Sequence, residues 1–258
     1  MTGIAVNHVV DGPEDGVPVL LSGSLGSDLR MWEPQVAALA AAGYRVVRYD
    51  HRGHGNSPVP PGPYTLADLG ADAVALLDEL GLDSAHVVGL SLGGMVGMWL
   101  GEHAPQRIRT LTLCCTSARL GPPESWTARA ATVRAEGMAA ITEAVVLRWF
   151  TAPWRAAHPE RIAAFEQMVA ATPAEGYAAC CAAIAAMDIA RGLPGITAPT
   201  LVISAAEDPA TPPEHGRRIA ADIPRARFDI VSPGAHLATA EAVDAISDLI
   251  IGHLKENS

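Results

Sequence analysis

The stretch Gly89-Leu90-Ser91-Leu92-Gly93-Gly94 lies between an apolar run, 85–90, and a stretch predicted to be a helix that ends near Ala104. The pattern G-x-S-x-G in this position is typical of a sharp strand-to-helix turn that exposes a serine hydroxyl. The free N–H groups of the helix that begins at Leu92 favour negative charge beside that serine. We therefore predict that Ser91 is a nucleophile. A serine that only caps the helix is the alternative.

Apolar runs alternate with helical stretches everywhere except in one central region, 117–199. Such alternation predicts an α/β fold with a mostly parallel, doubly wound sheet. We interpret 117–199, where helical segments follow one another without a clear strand, as an inserted helical cap, so the predicted core is 1–116 with 200–258. Thr65, three residues before Asp68, is the predicted N-cap of a helix. The predicted strands are 18–22, 44–50, 85–90, 107–116, 200–205 and 226–231.

A serine hydroxyl is a weak nucleophile and needs a general base that a third group orients. In hydrolases with this type of turn, an acid and then a histidine follow the serine in the chain, each after a later strand. Asp208 follows the predicted strand 200–205 and is the predicted acid, whereas its neighbour Glu207 suits a solvated position better. His236 follows the strand 226–231 and is the predicted base. Together these residues predict the α/β-hydrolase fold.

The other histidines fit the role of base less well. His51 and His54 lie in a tight loop after a strand, but they precede Ser91 in the chain, so we interpret them as residues whose hydrogen bonds brace the loop under the nucleophile. They are also the only two histidines that lie close together in the sequence, which is too few ligands for a metal site. We therefore predict no metal and no cofactor. The cysteines are predicted to be reduced and buried, because their adjacent pairs do not match the C-x-x-C spacing of zinc sites: Cys114, Cys115, Cys180 and Cys181.

A tetrahedral intermediate needs two N–H donors directed at its oxygen. The backbone N–H of Leu92, the residue after the nucleophile, is the first predicted donor. The second comes from the loop 22–27 after an early strand, in which Leu25 occupies the donor position when one counts back from Trp32. Many hydrolases of this fold carry His-Gly before that position, and this chain carries Gly23-Ser24 instead.

Composition and charge restrict the partners of the protein. The 258 residues are 49% hydrophobic and 18% charged, which suits one α/β domain with an insertion. The net charge of −10 argues against nucleic acid and against an anionic membrane surface. The apolar runs are shorter than the roughly 20 residues of a bilayer span, and no secretory signal is visible, so we expect no membrane association and a cytoplasmic location. The sequence does not predict the oligomeric state.

A set of stretches spread along nearly the whole chain matches one known family. They are 24–32, 50–57, 89–94, 133–138, 148–151, 176–181, 207–213 and 235–237. These stretches resemble the 3-oxoadipate enol-lactonases, also called β-ketoadipate enol-lactone hydrolases. The stretches around the serine, the acid and the histidine are shared by the whole α/β-hydrolase superfamily, whereas the first loop and the stretches within the cap distinguish this family.

The resemblance implies hydrolysis of an enol lactone with an acetate side chain, which gives 3-oxoadipate in the catabolism of protocatechuate and catechol. The expected partner is therefore a small anionic lactone, which an acidic chain must hold with a local positive charge. Arg134 and Arg148 are the candidates, because a guanidinium matches the geometry of a carboxylate. A solvated arginine is the alternative for each. Trp126, Trp149 and Trp154 are candidate pocket residues, with packing of the cap onto the core as the alternative.

The same triad serves several other reactions. A carboxylesterase, a methylesterase or a cofactor-free perhydrolase would use the same nucleophile with a differently shaped pocket. A hydrolase that cleaves C–C bonds is a third reading of the same residues. A non-catalytic member of the fold that only binds a ligand is disfavoured, because Ser91, Asp208 and His236 are all present.

Overall fold

A mostly parallel sheet forms the centre of the computed structural model, which describes residues 3–257. Its strands are β1 (His8–Asp11), β2 (Val17–Ser22), β3 (Tyr44–Tyr49), β4 (Ala85–Leu90), β5 (Ile108–Cys114), β6 (Thr200–Ala205) and β7 (Arg227–Val231). They lie in the order β1-β3-β2-β4-β5-β6-β7. Each adjacent pair is parallel except β1 with β3. The predicted α/β fold with a mostly parallel sheet is confirmed.

The helices pack on this sheet and on one another. They are α1 (Glu33–Ala41), α2 (Leu66–Glu79), α3 (Leu92–His103), α4 (Pro123–Glu136), α5 (Ala139–Trp149), α6 (Ala152–Ala157), α7 (Pro159–Ala171), α8 (Ala174–Ala186), α9 (Pro213–Asp222), α10 (Ala238–Glu241) and α11 (Val243–Glu256). α3 packs on β2, β4 and β5, and α1 packs on β3 and α11. α2 approaches α3 closely at Gly70, where a Cβ would lie 1.9 Å from a ring atom of Trp99.

α2 begins at the predicted N-cap. The Thr65 hydroxyl accepts a hydrogen bond from the Asp68 N–H at 3.2 Å, and the Asp68 carboxylate accepts one from the Thr65 N–H at 2.9 Å. This reciprocal pair satisfies two N–H groups at the start of the helix that would otherwise lack partners. The prediction of Thr65 as the N-cap is confirmed.

Two short elements, β1 and α6, were not predicted from the sequence. β1 pairs antiparallel with β3, from His8 opposite Tyr49 to Asp11 opposite Val46. It lies at the edge of the sheet, and its residues are exposed or partly buried, so it lacks the apolar pattern by which a strand is recognised. α6 is also short and begins after Thr151, whose hydroxyl accepts a hydrogen bond from a backbone N–H of its first turn.

Region 117–199 contains α4 to α8 and, in this part of the described chain, no strand. α4 packs on α8, and α5 packs on α7. The backbone of α8 meets the loop after β3 at Gly176, where a Cβ would lie 2.1 Å from the Gly53 carbonyl oxygen. The Tyr64 N–H also donates a hydrogen bond to Ala179 O at 3.3 Å. These two contacts fasten α8 to residues that precede Ser91 in the chain.

The apolar character of α8 reflects its burial. Its two cysteines, Cys180 and Cys181, are free and buried, as are Cys114 and Cys115 at the end of β5, so the prediction of reduced, buried cysteines is confirmed. Burial raises the pKa of Cys114 and Cys181 to about 12, so these thiols stay protonated.

Within residues 3–257 no single helix has the length and apolar character to cross a membrane. α7 and α8 meet that criterion only as a pair bent by 87°.

The turn between β4 and α3 places Ser91 in a strained backbone conformation, with φ 55° and ψ −113°. The residues two positions before and two positions after Ser91 must be small. A Cβ on Gly89 would lie 2.2 Å from Gly93 O, and a Cβ on Gly93 would lie 2.0 Å from Ser22 O. The Gly93 N–H donates to Gly23 O at 2.9 Å, so the turn is fixed against the loop after β2.

We expect Gly93→Ala to destabilise the fold, because the added methyl group would overlap the Ser22 carbonyl oxygen. Overpacking of this kind costs about 1–3 kcal/mol or more. Gly252→Ala in α11 is the matched control, since a Cβ there meets nothing within 4 Å. That variant should be as stable as the wild type or more stable by up to about 1 kcal/mol. Urea unfolding followed by circular dichroism measures both, and equal stability of the two variants would contradict the close contact.

Candidate active site

Ser91 is held from two sides at the end of β4. Its N–H donates to Cys114 O at 3.0 Å, and its carbonyl oxygen accepts a hydrogen bond from the Thr116 hydroxyl at 2.7 Å. The residue is 8% exposed and lines a cavity that also contains His236. The strained turn therefore presents Ser91 to a cavity on a backbone that is held by the end of β5 and the residues that follow it.

Asp208 and His236 form the hydrogen bond that an orienting acid and a base require. The Nδ1–H of His236 donates to Asp208 Oδ2 at 2.8 Å, and both residues are buried. The loop after β6 holds the carboxylate as well, because Ala210 N–H and Thr211 N–H donate to Oδ1 at 2.8 and 3.0 Å. The Thr211 hydroxyl donates to Oδ2 at 2.7 Å. Glu207, the competing carboxylate, is exposed.

The surroundings of Asp208 keep it ionised. Burial alone would raise the pKa of Asp208, but the charge of His236 and the hydrogen bonds from His236 and Thr211 outweigh burial and hold the pKa below its usual value. A carboxyl with a lowered pKa in the folded state stabilises the fold above its ordinary pKa, and this contribution is lost as the pH falls through the folded-state value. At neutral pH Asp208 is therefore a carboxylate that can hold the His236 proton at Nδ1.

The two predicted N–H donors are free to bind an oxyanion. Leu92 is the first residue of α3, so its N–H has no acceptor within the helix. Leu25 lines the same cavity as Ser91. Among residues 3–257, neither N–H group donates a hydrogen bond. The local geometry therefore leaves the N–H groups of Leu25 and Leu92 available as hydrogen-bond donors to an oxyanion.

His51 and His54 brace the loop 22–27 that carries Leu25. The Nε2–H of His51 donates to Gly23 O at 3.1 Å, and Nε2 of His54 accepts a hydrogen bond from the Gly26 N–H at 3.0 Å. Burial lowers the pKa of both imidazoles to about 4. Both are neutral at neutral pH, so His54 keeps the lone pair that the Gly26 N–H needs. The bracing role predicted for these histidines is therefore observed, and the loop that they brace is 22–27.

A cavity of about 230 Å³ joins Ser91 and His236 to the helices of region 117–199. Trp126 of α4 and Trp149 of α5, both predicted pocket residues, line it. The ring of Trp154, the third candidate, stacks on Phe150 with the ring centroids 4.4 Å apart. Trp154 therefore follows the packing alternative, whereas the other two tryptophans form part of the cavity wall.

Two guanidinium groups line the cavity, Arg129 from α4 and Arg148 from α5. Within the described chain neither of them forms an ion pair with a carboxylate. Arg129 lies over the ring of Trp126, with its Cζ 4.6 Å from the ring centroid. Burial lowers the pKa of Arg148, and the charge of Arg129 lowers it further. Two positive charges without a counterion therefore share the cavity with Ser91.

The expectation that Arg134 holds the substrate carboxylate is corrected by its position, which is that of the alternative, an exposed arginine. Its guanidinium is exposed and forms two hydrogen bonds of 2.8 Å with the carboxylate of Glu175. Arg129 and Arg134 are five residues apart, or about 140° around a helix axis, so they lie on different faces of α4. Sequence reasoning missed Arg129. The available signal was its spacing of three residues from Trp126, which places the two side chains together on a helix.

The chain is similar to known proteins along nearly all of its length. The family model for the alpha/beta hydrolase fold matches residues 17–243. The 3-oxoadipate enol-lactonase 2 of Acinetobacter baylyi is 35% identical over 252 residues, which cover 98% of this chain and 94% of that protein. The crystal structure of the enol-lactonase from Burkholderia xenovorans LB400 has a TM-score of 0.95 and 41% identity, over 97% of this chain and 96% of that chain.

A relative with a different name is also similar. A protein of Variovorax paradoxus named as a carbamate hydrolase, RutD, is 36% identical over 236 residues, which cover 90% of this chain and 89% of that protein. One set of relatives is named as enol-lactonases and the other as carbamate hydrolases, and the enol-lactonase matches a larger share of the chain. The chain therefore belongs to the alpha/beta hydrolase fold family and is an enzyme of the carboxylic ester hydrolase class, related to the 3-oxoadipate enol-lactonases.

Proposed function

We propose that this enzyme opens the enol lactone of 3-oxoadipate to 3-oxoadipate, a reaction of the β-ketoadipate pathway. The observation that carries the proposal is that Arg129 and Arg148, which have no carboxylate partner among residues 3–257, lie in the same cavity as Ser91 and His236. The net charge of the chain is −10, so a local excess of positive charge in one cavity favours the binding of an anionic ligand there. The carboxylate of the acetate side chain supplies that negative charge.

The proposed chemistry follows a serine acyl-enzyme route. The Ser91 Oγ attacks the lactone carbonyl carbon while His236 accepts its proton at Nε2. The N–H groups of Leu25 and Leu92 hold the oxyanion, a contribution of roughly 2.7–4 kcal/mol for each donor. Collapse of the intermediate breaks the ring C–O bond and frees an enolate that stays part of the acyl chain on Ser91. His236 gives this enolate the proton that it took from Ser91, which yields the ketone and leaves the imidazole neutral again. A water molecule, deprotonated by His236, then hydrolyses the ester on Ser91 and restores the free hydroxyl.

Asp208 orients the base in this scheme. Its Oδ2 accepts the Nδ1–H of His236, which leaves the Nε2 lone pair directed away from the acid and available to the serine. The remaining hydrogen bonds to Asp208 come from its own loop, so the carboxylate keeps its position when the imidazole becomes charged. The acid thus holds one tautomer and stabilises the imidazolium that forms during each proton transfer.

Rival substrates share this machinery. A carboxylesterase, a methylesterase, a perhydrolase or a carbamate hydrolase would use the same nucleophile and base. None of the neutral substrates in these classes needs two unpaired guanidinium groups, and this is why we favour an anionic lactone. A spectrophotometric assay with the enol lactone beside neutral p-nitrophenyl esters and a simple carbamate tests the choice. A kcat/KM that is higher for the neutral esters or the carbamate than for the lactone would reject the proposal.

We expect Ser91→Ala to fold normally and to lose activity on every ester and lactone by several orders of magnitude, because no other group forms the acyl-enzyme. Circular dichroism checks the fold, and turnover of a p-nitrophenyl ester checks the activity. Addition of EDTA to the wild-type enzyme should change nothing. Near-normal turnover by Ser91→Ala, or inactivation of the wild type by EDTA, would rule out the serine mechanism.

Asp208→Asn should lower turnover by about 10⁴-fold, by analogy with the tautomer error of other triads. Two backbone N–H donors face Oδ1, so the amide oxygen must stay on that side and the NH₂ group must face His236. Nδ1 then has to accept a hydrogen bond, which moves the imidazole proton to Nε2 and removes the base. Glu207→Gln, at the exposed neighbour, is the matched control for steady-state kinetics. A large loss of activity in Glu207→Gln with none in Asp208→Asn would mean that Glu207, and not Asp208, orients His236.

Arg148→Met should reduce kcat/KM for the acidic lactone by about 10- to 150-fold, which corresponds to the 1.5–3 kcal/mol of a charged hydrogen bond. A neutral ester should hardly be affected, since it has no carboxylate to hold. Arg134→Met removes the same charge from the exposed side of the cap and is the control. Arg148→Lys should restore only part of the loss, because it lacks the planar fork. An equal loss on both substrates would instead indicate damage to packing.

A further inference from the structure

The carboxylate of Glu241, at the end of α10, links the loop 232–237, which contains His236, to region 117–199. Its Oε2 accepts a hydrogen bond from the Ala235 N–H at 3.0 Å. The Thr151 N–H donates to both carboxylate oxygens at 3.2 Å, and the Thr151 hydroxyl donates to Oε1. Glu241 is partly buried, so water competes for these hydrogen bonds less than at an open surface.

A second hydrogen bond holds the chain on the other side of His236. The Leu237 N–H donates to Trp149 O at 2.8 Å. The residues before and after His236 are therefore both held by backbone hydrogen bonds. One of the two partners, Trp149, is the last residue of α5, and the other, Glu241, is bound to Thr151 two residues beyond it.

We propose that Glu241 is a positioning residue that holds the backbone of His236 and, through Thr151, fixes its distance from the end of α5. That end of α5 carries Arg148 into the cavity. The inference rests on the proposed role of His236 as general base. Glu241 thus keeps the imidazole of His236, which moves the proton, at a set distance from the guanidinium of Arg148, which holds the substrate anion.

The position requires a charged acceptor. The Ala235 N–H, the Thr151 N–H and the Thr151 hydroxyl are all donors, and they converge on two oxygen atoms. A carboxylate accepts from all of them. The NH₂ group of an amide cannot accept, so an amide either leaves a backbone N–H unpaired or forces the Thr151 hydroxyl to turn and accept instead of donating, and in both cases the charge-assisted hydrogen bonds are lost. Misplacement of a catalytic group by about 1 Å costs on the order of 100-fold in rate. Glu241→Gln should therefore act on turnover.

Four variants test the inference in the full-length enzyme. Glu241→Gln removes one acceptor, Thr151→Val removes the hydroxyl but keeps the carboxylate, and Thr151→Ser keeps both. Glu143→Gln is the matched control, because it makes the same charge change at an exposed residue of α5. Each variant is assayed for kcat and KM with a neutral p-nitrophenyl ester and with the enol lactone, and thermal unfolding gives its Tm.

We expect Glu241→Gln and Thr151→Val to lower kcat on the neutral ester by about 10- to 100-fold, with KM nearly unchanged. Thr151→Ser and Glu143→Gln should stay close to wild type. Loss on the neutral ester is decisive, since that substrate does not depend on Arg148. A wild-type kcat in both Glu241→Gln and Thr151→Val overturns the inference, even where their Tm falls, because a purely structural role lowers the Tm alone.

The test stays decisive if one variant is lost. If Glu241→Gln does not fold, Thr151→Val decides, because it leaves the carboxylate and its bond to Ala235 in place. Failure of the proposed function looks different from failure of this inference. If the proposed function is wrong, the wild-type enzyme hydrolyses the ester and not the lactone, or Ser91→Ala remains active.

Discussion

The close contact between the turn at Ser91 and the loop 22–27 is the constraint on which the site depends. The Gly93 N–H and the Nε2–H of His51 both donate to a single acceptor, Gly23 O. The turn that presents the hydroxyl is therefore hydrogen-bonded to the loop that carries an N–H donor, and His51 donates to the same carbonyl oxygen of that loop. Main-chain hydrogen bonds thus set their relative position before any substrate arrives, and preorganisation of this kind avoids a reorganisation cost during reaction.

The parts of the site that depend on strand ends could be predicted from the sequence. A parallel sheet brings the carboxyl ends of its strands to one edge, so side chains that follow different strands meet there. This is why Ser91, Asp208 and His236 could be chosen by chain order and position alone. The edge strand β1 could not be found in this way. Its residues are exposed or partly buried, and an apolar pattern appears only where one face of a strand is buried.

The cavity wall could be predicted only in part, because the sequence of a helix in region 117–199 does not show which of its faces lines the cavity. α4 carries arginine at 129 and 134 and alanine at several positions around them, so no strongly apolar stripe marks its inner face. Its packing on α8 decides the matter, and that packing turns Arg129 inward and leaves Arg134 beside Glu175. The same holds for Arg148, for which the sequence left a solvated position open, and only the structure places it in the cavity wall beside Trp149.

Arg129 and Arg148, which have no carboxylate partner among residues 3–257, also affect the release of the product. In the proposed reaction the substrate is a monoanion, and hydrolysis creates a second carboxylate, so the product is a dianion. Arg129 and Arg148 therefore attract the product more strongly than the substrate, and a partly buried cavity weakens the screening of that attraction by salt. In that reaction the charges that recruit the lactone also retard the departure of the open-chain acid, and region 117–199, which carries both arginines, sets a balance between capture and release.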